Sequence, residues 1–333
     1  SDYFNTKLYT GNGSTQSITG VGFQPDWVWI KERNNAASHK LYDIVRGATE
    51  VLESDGSYGE GTDVNGLTAF DSNGFSLGSS GSNNGSGDTY ASWNWKAGGT
   101  ASSNTDGSIT SNVSANTTSG FSIIEYTGTG STGTIAHGLN SAPELVILRN
   151  REVASNWWVW GELLGNNQIM ELDTTSAKYN PNGNYHNDTM PTSSVISIGS
   201  DGQVSGSGQS HICYAFHSVK SFSKIGSYIG NGNADGTFVY TGFKPAFVIN
   251  KRTDSTSGWD LFDNKRLGYN VANRLLAPNT SDQEATSDKI DLLSNGFKMR
   301  TTTGGNYSGA SYIYMAFASE PFTTSTGIPC TAR

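Results

Sequence analysis

The chain has 333 residues, enough for two or three domains that each bury a core of their own. Its 21 basic and 29 acidic residues give a net charge of −8 and a pI of about 5.1. This acidic balance argues against nucleic acid or an anionic membrane as the partner, because both attract basic patches. No stretch approaches the apolar length that spans a bilayer, and no basic-then-apolar leader opens the chain, so we expect no membrane insertion.

The composition favours β-structure. Charged residues make up only 15%, and 41 Gly accompany many Ser, Thr and Asn residues, a mix typical of short strands joined by tight turns. Asn-Gly pairs tolerate the positive φ of tight hairpins. They occur at residues 65–66, 73–74, 182–183 and 295–296. We therefore predict an all-β fold.

One stretch occurs three times. A turn with Pro25, Pro143 or Pro245 opens a run of aromatic and β-branched residues that a basic residue closes, with offsets of 118 (25 to 143) and 102 (143 to 245). A second anchor gives nearly the same offsets, 117 (9 to 126) and 102 (126 to 228); its tyrosines are Tyr9, Tyr126 and Tyr228. Two anchors that agree to one residue indicate internal repeats. Each run predicts a strand buried on both faces.

The repeats predict three tandem β-sandwich-like modules, residues 1–99, 120–222 and 223–322, each with about seven or eight short strands. Residues 100–119 are almost entirely Ser, Thr, Asn and Gly. They predict either a flexible linker or a loosely docked strand around 107–110.

The end of the chain has no periodicity. Residues 323–333 are therefore predicted to form an extended tail, which contains Cys330. The other cysteine, Cys213, lies inside an apolar strand pattern. Two independent thiols are the preferred interpretation, and the alternative disulfide would need the tail to fold back onto the second module.

A third recurring stretch closes each module. One alternating face of it carries Trp93 and Trp95 in the first copy and is apolar in the other two. The same comparison applies to Trp27 and Trp29. We therefore assign these four tryptophans to the core rather than to a sugar-stacking platform, because burial of Trp removes so much apolar area from water.

Charged residues also recur. Lys31 is followed 12 residues later (31 to 43) by Asp43, and Arg46 comes three residues after this acid. Similar spacings follow Arg149 and Lys251. An acid–base catalytic pair is one interpretation. We prefer ion pairs at the rim of each sandwich, where an exposed pair contributes only ~0–1 kcal/mol.

No motif for nucleophilic catalysis, phosphate binding or zinc binding is present, so no catalytic residue is predicted. The acidic loop 53–63 has enough oxygen ligands for Ca²⁺ but lacks the ordered spacing of a calcium loop. Its Glu60 and Asp63 are also the best candidates for a glycosidase pair. We expect no cofactor, with Ca²⁺ as the weaker alternative, and no enzyme activity.

The loops that differ between the modules are where binding residues are expected. The second module's loop 178–188 contains Tyr179, Tyr185 and His186 among several Asn residues. Tyr58 and Tyr307 occupy comparable stretches of the other two modules. Tyr and Asn stack on sugar rings and bind their hydroxyls, so these five residues are the candidate ligand-binding residues. Ordinary turns with a packed Tyr remain an equal alternative.

Four segments resemble a known family; they are residues 9–18, 22–31, 92–99 and 312–318. They are similar to a repeat domain of uncharacterised function that recurs in virion proteins of marine bacteriophages, cyanophages included. The resemblance implies a phage structural protein on the exposed tail or capsid surface, such as a tail fibre that attaches to host surface polysaccharide. It also implies other virion proteins as partners, and it supplies no catalytic residues.

Two alternatives stay open. The first is a capsid decoration or fibre-assembly protein without a host ligand, and the less favoured second is a polysaccharide depolymerase. The chain is expected to be a monomer or a symmetric homo-oligomer. Relatives of this kind are often embedded in longer fibres, so the chain is either a whole small protein or a distal part of one.

Overall fold

A computed structural model describes residues 2–266, 270 and 272–318. The predicted tail 323–333 with Cys330, and residues 319–322 of the predicted third module, lie outside the described residues. In the described part, two helices of four residues each accompany many antiparallel strands, which confirms the all-β prediction.

The first group of strands comes from residues 4–95. Its elements are β1 (Phe4–Thr10), β2 (Gln16–Thr19), β3 (Trp27–Glu32), β4 (Lys40–Asp43), β5 (Gly47–Glu53), β6 (Gly61–Thr62), β7 (Leu67–Asp71), β8 (Gly74–Leu77), α1 (Gly81–Asn84) and β9 (Thr89–Trp95). Among the described residues they form a six-stranded sheet in the order β1-β9-β3-β4-β5-β6 and a three-stranded sheet β2-β8-β7. We call these two sheets the first sheet pair.

The second sheet pair comes from residues 102–216. Its elements are β10 (Ser102–Asn104), β11 (Ser111–Asn116), β12 (Phe121–Thr127), β13 (Gly133–Ala136), β14 (Leu145–Asn150), β15 (Trp158–Trp160), β16 (Met170–Glu171), β17 (Val195–Ile198), α2 (Gly202–Ser205) and β18 (Ser210–Phe216). In this part of the described chain, the sheets are β10-β11-β12-β18-β14-β15-β16 and β13-β17.

The third sheet pair comes from residues 223–318. Its elements are β19 (Ser223–Ile229), β20 (Phe238–Tyr240), β21 (Pro245–Arg252), β22 (Trp259–Asp263), β23 (Ala272–Leu275), β24 (Ala285–Leu293), β25 (Gly296–Met299) and β26 (Ser311–Ala318). As far as these residues are described, the sheets are β19-β26-β21-β22 and β20-β25-β24-β23.

The two sheets of each pair pack face to face over a core of their own. In the first pair, Val28 and Ile30 of β3 join Phe75 and Leu77 of β8 in one buried cluster. Corresponding clusters join both sheets of the second and the third pair. Burial of these aliphatic and aromatic side chains stabilises each pair by about 25 cal/mol for every Å² of apolar surface removed from water.

A further apolar core joins all three sheet pairs. The side chains on the opposite face of β3, Trp27 and Trp29, are buried in a cluster that also contains Ile147 of β14, Phe247 of β21 and Phe317 of β26. We call this cluster the shared core. Successive side chains on a strand point to opposite faces, so one face of β3 packs in the core of its own sheet pair and the other packs in the shared core.

The predictions about the tryptophans and these strands are confirmed. All six residues of β3 are buried, and Trp27, Trp29, Trp93 and Trp95 are each at most 1% exposed. The ring of Trp27 lies 4.5 Å, between centroids, from the rings of both Trp95 and Tyr214. The tryptophans therefore hold the sheet pairs together and are closed to ligands.

The linker prediction for residues 100–119 needs correction. Residues 102–104 and 111–116 form β10 and β11, and β11 pairs along its length with β12. Ile109 and Val113 are each 7% exposed and belong to the core of the second sheet pair. The alternative of a docked strand comes closer, but the two strands flank residues 107–110, where Ile109 forms an isolated bridge with Ile135.

Asn73-Gly74 and Asn295-Gly296 lie at hairpin turns, as predicted, although neither Asn has a positive φ. Close contact with a third strand explains the two glycines. A Cβ atom on Gly74 would lie 1.9 Å from the carbonyl oxygen of Ile18 on the neighbouring strand. One on Gly296 would lie 2.1 Å from the carbonyl oxygen of Val239. Only glycine allows these strands to approach so closely.

Candidate functional site

The exposed tyrosines of the first and third sheet pairs lie on well-fixed backbone. Tyr58 is 76% exposed, and its carbonyl oxygen accepts a hydrogen bond from the guanidinium of Arg149 in the second sheet pair. Tyr307 is partly exposed, and the guanidinium of Arg252 lies 5.1 Å from the centre of its ring. Arg252 in turn pairs with Asp254 at 2.6 Å. The ring of Tyr58 is thus available to a ligand, and the ring of Tyr307 is available on the side that Arg252 does not cover.

Two of the predicted residues of loop 178–188, Tyr185 and His186, are more deeply packed, whereas Tyr179 is 37% exposed. The hydroxyl of Tyr179 donates to Glu171 at 2.8 Å, and the ring of Tyr185 lies 4.2 Å, between centroids, from that of Trp158. Burial, together with nearby carboxylates including Glu171, raises the pKa of Tyr185 to about 12. His186 is fully buried near the ring of Trp160, and burial lowers its pKa. Tyr179 and Tyr185 therefore share surroundings, whereas Tyr58 and Tyr307 lie on other sheet pairs.

The recurring basic residues lie at the contacts between sheet pairs, which we call junctions. Lys31, Arg149 and Lys251 are all fully buried and donate to backbone carbonyls of a neighbouring pair. The acceptors are Ser281 O for Lys31 (3.4 Å), Gly56 O for Arg149 (2.6 Å) and Ser176 O for Lys251 (3.0 Å). Burial lowers the pKa of both lysines to about 8 and that of Arg149 to about 10.

Two of the acids that follow these basic residues, Asp43 and Asp263, are buried, so the interpretation of an exposed rim was wrong for them. Glu162, which follows Arg149, is exposed. Asp43 forms a fully buried ion pair with Arg46 and also accepts the hydroxyl of Tyr214 at 2.7 Å. Asp263 forms the same kind of pair and accepts the indole N–H of Trp93 at 3.0 Å. Each carboxylate is bound by an arginine and two backbone N–H groups of its own sheet pair and by one donor from another pair, so it stabilises a junction and is buried from solvent.

Two carboxylates of the acidic loop 53–63 also bind other side chains of the protein. Glu60 pairs with Arg46 at 2.9 Å and with Arg151 of the second sheet pair at 2.6 Å. Asp63 accepts the hydroxyl of Ser80 at 2.7 Å. Among the described residues, no group of three or more His, Cys, Asp and Glu side chains is placed to hold a metal ion.

One exposed aromatic surface escaped the sequence analysis. Phe238 and Tyr240 alternate on the edge strand β20 and are 46% and 65% exposed, while Val239 between them is buried. Ile229 at the end of β19 is 57% exposed. A Phe-Val-Tyr run places large apolar residues on both faces of a strand, and this pattern was the available signal.

The fold and these surfaces define an all-β protein in which three pairs of antiparallel sheets surround one apolar core and carry exposed tyrosines outside it. The chain belongs to the family described as a domain of unknown function (DUF7483), whose family model matches residues 1–321. Neither the curated proteins nor the solved structures contain a significant match to it. In the described part of the chain, no helix has the length and apolar character needed to cross a membrane.

Proposed function

We propose that this chain is a non-enzymatic component of a bacteriophage particle that uses exposed tyrosines to attach to host surface glycan. We further propose that it consists of three copies of one β-sandwich unit, residues 1–99, 100–222 and 223 onwards. The observation that carries the proposal is the shared core, in which residues of all three sheet pairs are buried together. One chain thereby makes the threefold arrangement that fibre proteins commonly reach by association of three chains.

The junctions support the idea of three equivalent units. The backbone N–H of Ala37 donates to Ser281 O at 2.8 Å, that of Ser155 to Ser57 O at 2.9 Å, and that of Ser257 to Thr175 O at 2.9 Å. The donors are separated by 118 (37 to 155) and 102 (155 to 257) residues, the offsets of the recurring prolines. The first unit thus contacts the third, the second contacts the first, and the third contacts the second.

Ring side chains at the same offsets repeat this closed pattern. They donate to a carbonyl oxygen of the neighbouring unit: His39 to Ala277 O (3.1 Å), Trp157 to Glu53 O (2.7 Å) and Trp259 to Glu171 O (3.0 Å). A closed ring of junctions makes the body rigid and leaves the outer sheets and their loops facing outwards. Such a body presents binding residues on an ordered scaffold.

Two lines support a phage particle and a glycan. Four segments of the sequence resemble the repeat domain of marine phage virion proteins, including strands β3 and β26. The rings of Tyr58 and Tyr307 are exposed on fixed backbone, and exposed aromatic rings on ordered loops suit the stacking of sugar rings. We expect location on the exposed tail or capsid surface, with other virion proteins as further partners.

A structural role without a host ligand is the second candidate. Ile229 and Phe238 favour it, because exposed large apolar side chains are typical of protein contacts. The depolymerase is less favoured. Glu60 is neutralised by two arginines and Asp63 is bound by Ser80, so neither is poised as a nucleophile or acid.

The test is binding of the purified chain to marine bacterial and cyanobacterial cells and to their extracted polysaccharides, with reducing ends measured in the same tubes. Saturable binding without release of reducing ends is the expected result. We expect Tyr58→Ala and Tyr307→Ala each to weaken binding several-fold, while Thr62→Ala on the exposed strand β6 leaves it unchanged. Release of reducing ends would favour the depolymerase, and absence of binding to all material would favour the structural protein.

A further inference from the structure

A groove of about 500 Å³ lies on the outside of the third sheet pair, between the start of β19 and the end of β20. We call it the Tyr240 groove. Its walls include Ser218, Lys220, Ser221, Lys224, Tyr240 and Thr241. None of these residues entered the sequence predictions.

Ser221 is the most unusual residue in the groove. It is 4% exposed, and its backbone has a φ of +65°, in the left-handed region that a residue with a Cβ rarely adopts. Its hydroxyl oxygen is buried without a hydrogen-bond partner in the described structure. A strained residue that holds an unpaired hydroxyl in the wall of a groove indicates a site where a ligand completes the hydrogen bonding.

Two lysines give the groove a local positive charge within an acidic protein. Lys220 is exposed and Lys224 is half-buried, and neither forms an ion pair with any described residue. The carboxylate of Glu144, which lies nearby, already accepts the backbone N–H of Ser218 at 2.6 Å as well as its hydroxyl. Its negative charge is thus partly offset by these donors, and the lysines remain available to an anion.

Tyr240 supplies an apolar surface beside these charges. Its ring is 65% exposed and lies next to Gly242, where a Cβ atom would be 3.6 Å from the tyrosine hydroxyl. Because Gly242 has no side chain, nothing from that position covers the ring. An exposed aromatic ring next to hydroxyls and ammonium groups suits a ligand with one apolar face and a charged edge.

We propose that the Tyr240 groove binds an acidic sugar residue of a polysaccharide. The sugar ring stacks on Tyr240, its carboxylate or sulfate is held by Lys220 and Lys224, and a hydroxyl or acid oxygen bonds the side chain of Ser221. This inference rests on the proposed attachment to glycan and names the class of glycan. A free inorganic anion uses the same lysines but gains nothing from the tyrosine.

The first sheet pair provides an internal control. A groove of about 300 Å³ beside β1 is lined by Asn5, Lys7, Gly20 and Lys265, and we call it the Lys7 groove. It also has two lysines. By strand pairing, Thr19 corresponds to Tyr240, because Thr19 pairs with Gly74 as Tyr240 pairs with Gly296. The described lining of the Lys7 groove holds no aromatic residue, so this groove has the charge without the aromatic ring. Comparison of the two grooves therefore distinguishes specific binding of an acidic sugar from simple attraction of an anion to a pair of lysines.

The experiment is calorimetric titration of the full chain with a panel of acidic oligosaccharides: oligogalacturonate, oligomannuronate and a sulfated heparin tetrasaccharide. Methyl-esterified oligogalacturonate is the matched neutral probe, and sodium sulfate tests for a free anion. We expect saturable binding of at least one acidic probe that weakens as salt rises, and at least tenfold weaker binding of the neutral ester.

Variants then locate the site. We expect Lys220→Gln with Lys224→Gln, and separately Tyr240→Ala, to weaken binding of the acidic probe by about tenfold, equivalent to about 1.4 kcal/mol. Lys7→Gln with Lys265→Gln is the matched control and should leave it unchanged. Circular dichroism confirms that each variant is folded.

The inference is overturned if no acidic probe binds, if sodium sulfate competes as well as the oligosaccharide, or if the two lysine pairs have equal effects. If the chain binds a neutral host glycan and the Tyr240→Ala variant binds it equally well, this inference is overturned and the proposed function stays intact. Failure of every cell, polysaccharide and oligosaccharide to bind would remove both.

Discussion

Individual residues at the junctions show which charges the fold needs. The backbone N–H groups of Trp157 and Trp259 each donate to a side-chain oxygen, of Asp173 at 3.0 Å and of Asn279 at 2.9 Å. The acceptor is therefore a side-chain amide in the third sheet pair and a carboxylate in the second. The hydrogen bond is thus common to both positions, whereas the negative charge is present at only one.

The buried carboxylate of Asp173 lowers the stability of the folded chain by an amount that depends on pH. Burial is the largest effect on Asp173 and raises its pKa to about 6 from an ordinary value of 3.8. Between about pH 4 and pH 6 the folded chain holds more protons at this site than the unfolded chain does, so stability falls as pH rises through this range. Above pH 6 the full penalty is present.

We predict that Asp173→Asn stabilises the chain at pH 7 by about 1–3 kcal/mol, because it keeps the acceptor and removes the buried charge. The gain should disappear near pH 4. Chemical denaturation at several pH values measures it, with Asp106→Asn on the exposed surface as the control. Lower stability of Asp173→Asn at pH 7 would show that the charge is needed, for example by Arg149.

At the scale of elements, sequence patterns locate strands well where apolar residues alternate or run together. The strands β3 and β14 begin two residues after their prolines, and β21 begins at Pro245 itself, close to the predicted positions. Strand β11 has only Val113 as a large apolar residue, so composition alone makes it look like a linker. Its pairing with β12 supplies the rest of its stability, and a single segment does not reveal such a partner.

We predict that Val113→Ala destabilises the chain by about 1–3 kcal/mol, because it leaves a void in the core of the second sheet pair. Asn112→Ala, the neighbouring exposed residue, should change stability by less than about 0.5 kcal/mol. Urea denaturation of both variants measures the difference. Equal stability of the two variants would restore the interpretation of this segment as a linker.

The candidate site was only partly predictable for the same reason. Tyr58 and Tyr307 are exposed as a loop position suggests, but the burial of His186 depends on packing against Trp160, which the local sequence does not show. The Tyr240 groove depends on the backbone conformation of Ser221 and on the approach of β19 to β20. Its lysines and serines look like ordinary loop residues in the sequence.

At the scale of the whole molecule, the repeats predicted apolar faces but not what covers them. Both faces of β3 are apolar, so each face needs a layer of other residues to cover it. The sequence does not tell which part of the chain supplies either layer. The ion pair of Asp43 and Arg46 illustrates the gap. Arg46 comes three positions after Asp43, yet the buried pair is completed by Tyr214, which comes 171 residues after Asp43. The shared core therefore emerges only from the three-dimensional structure.

The central claim, that the sheet pairs form one body around the shared core, predicts cooperative unfolding. Trp93 has its ring in this core, 6.1 Å between centroids from that of Phe247 in the third sheet pair, and its indole bonds Asp263 there. Trp93→Ala should therefore weaken all three sheet pairs together, by about 3–5 kcal/mol. The exposed change Tyr58→Ala serves as the control and should leave stability unchanged within about 0.5 kcal/mol.

The most direct measurement is differential scanning calorimetry of the wild-type chain, Trp93→Ala and Tyr58→Ala. We predict one transition for the wild type, with equal calorimetric and van't Hoff enthalpies, and the same single transition at a lower temperature for Trp93→Ala. Separate transitions in the wild type, of which Trp93→Ala shifts only one, would contradict a shared core and indicate three sandwiches that fold independently.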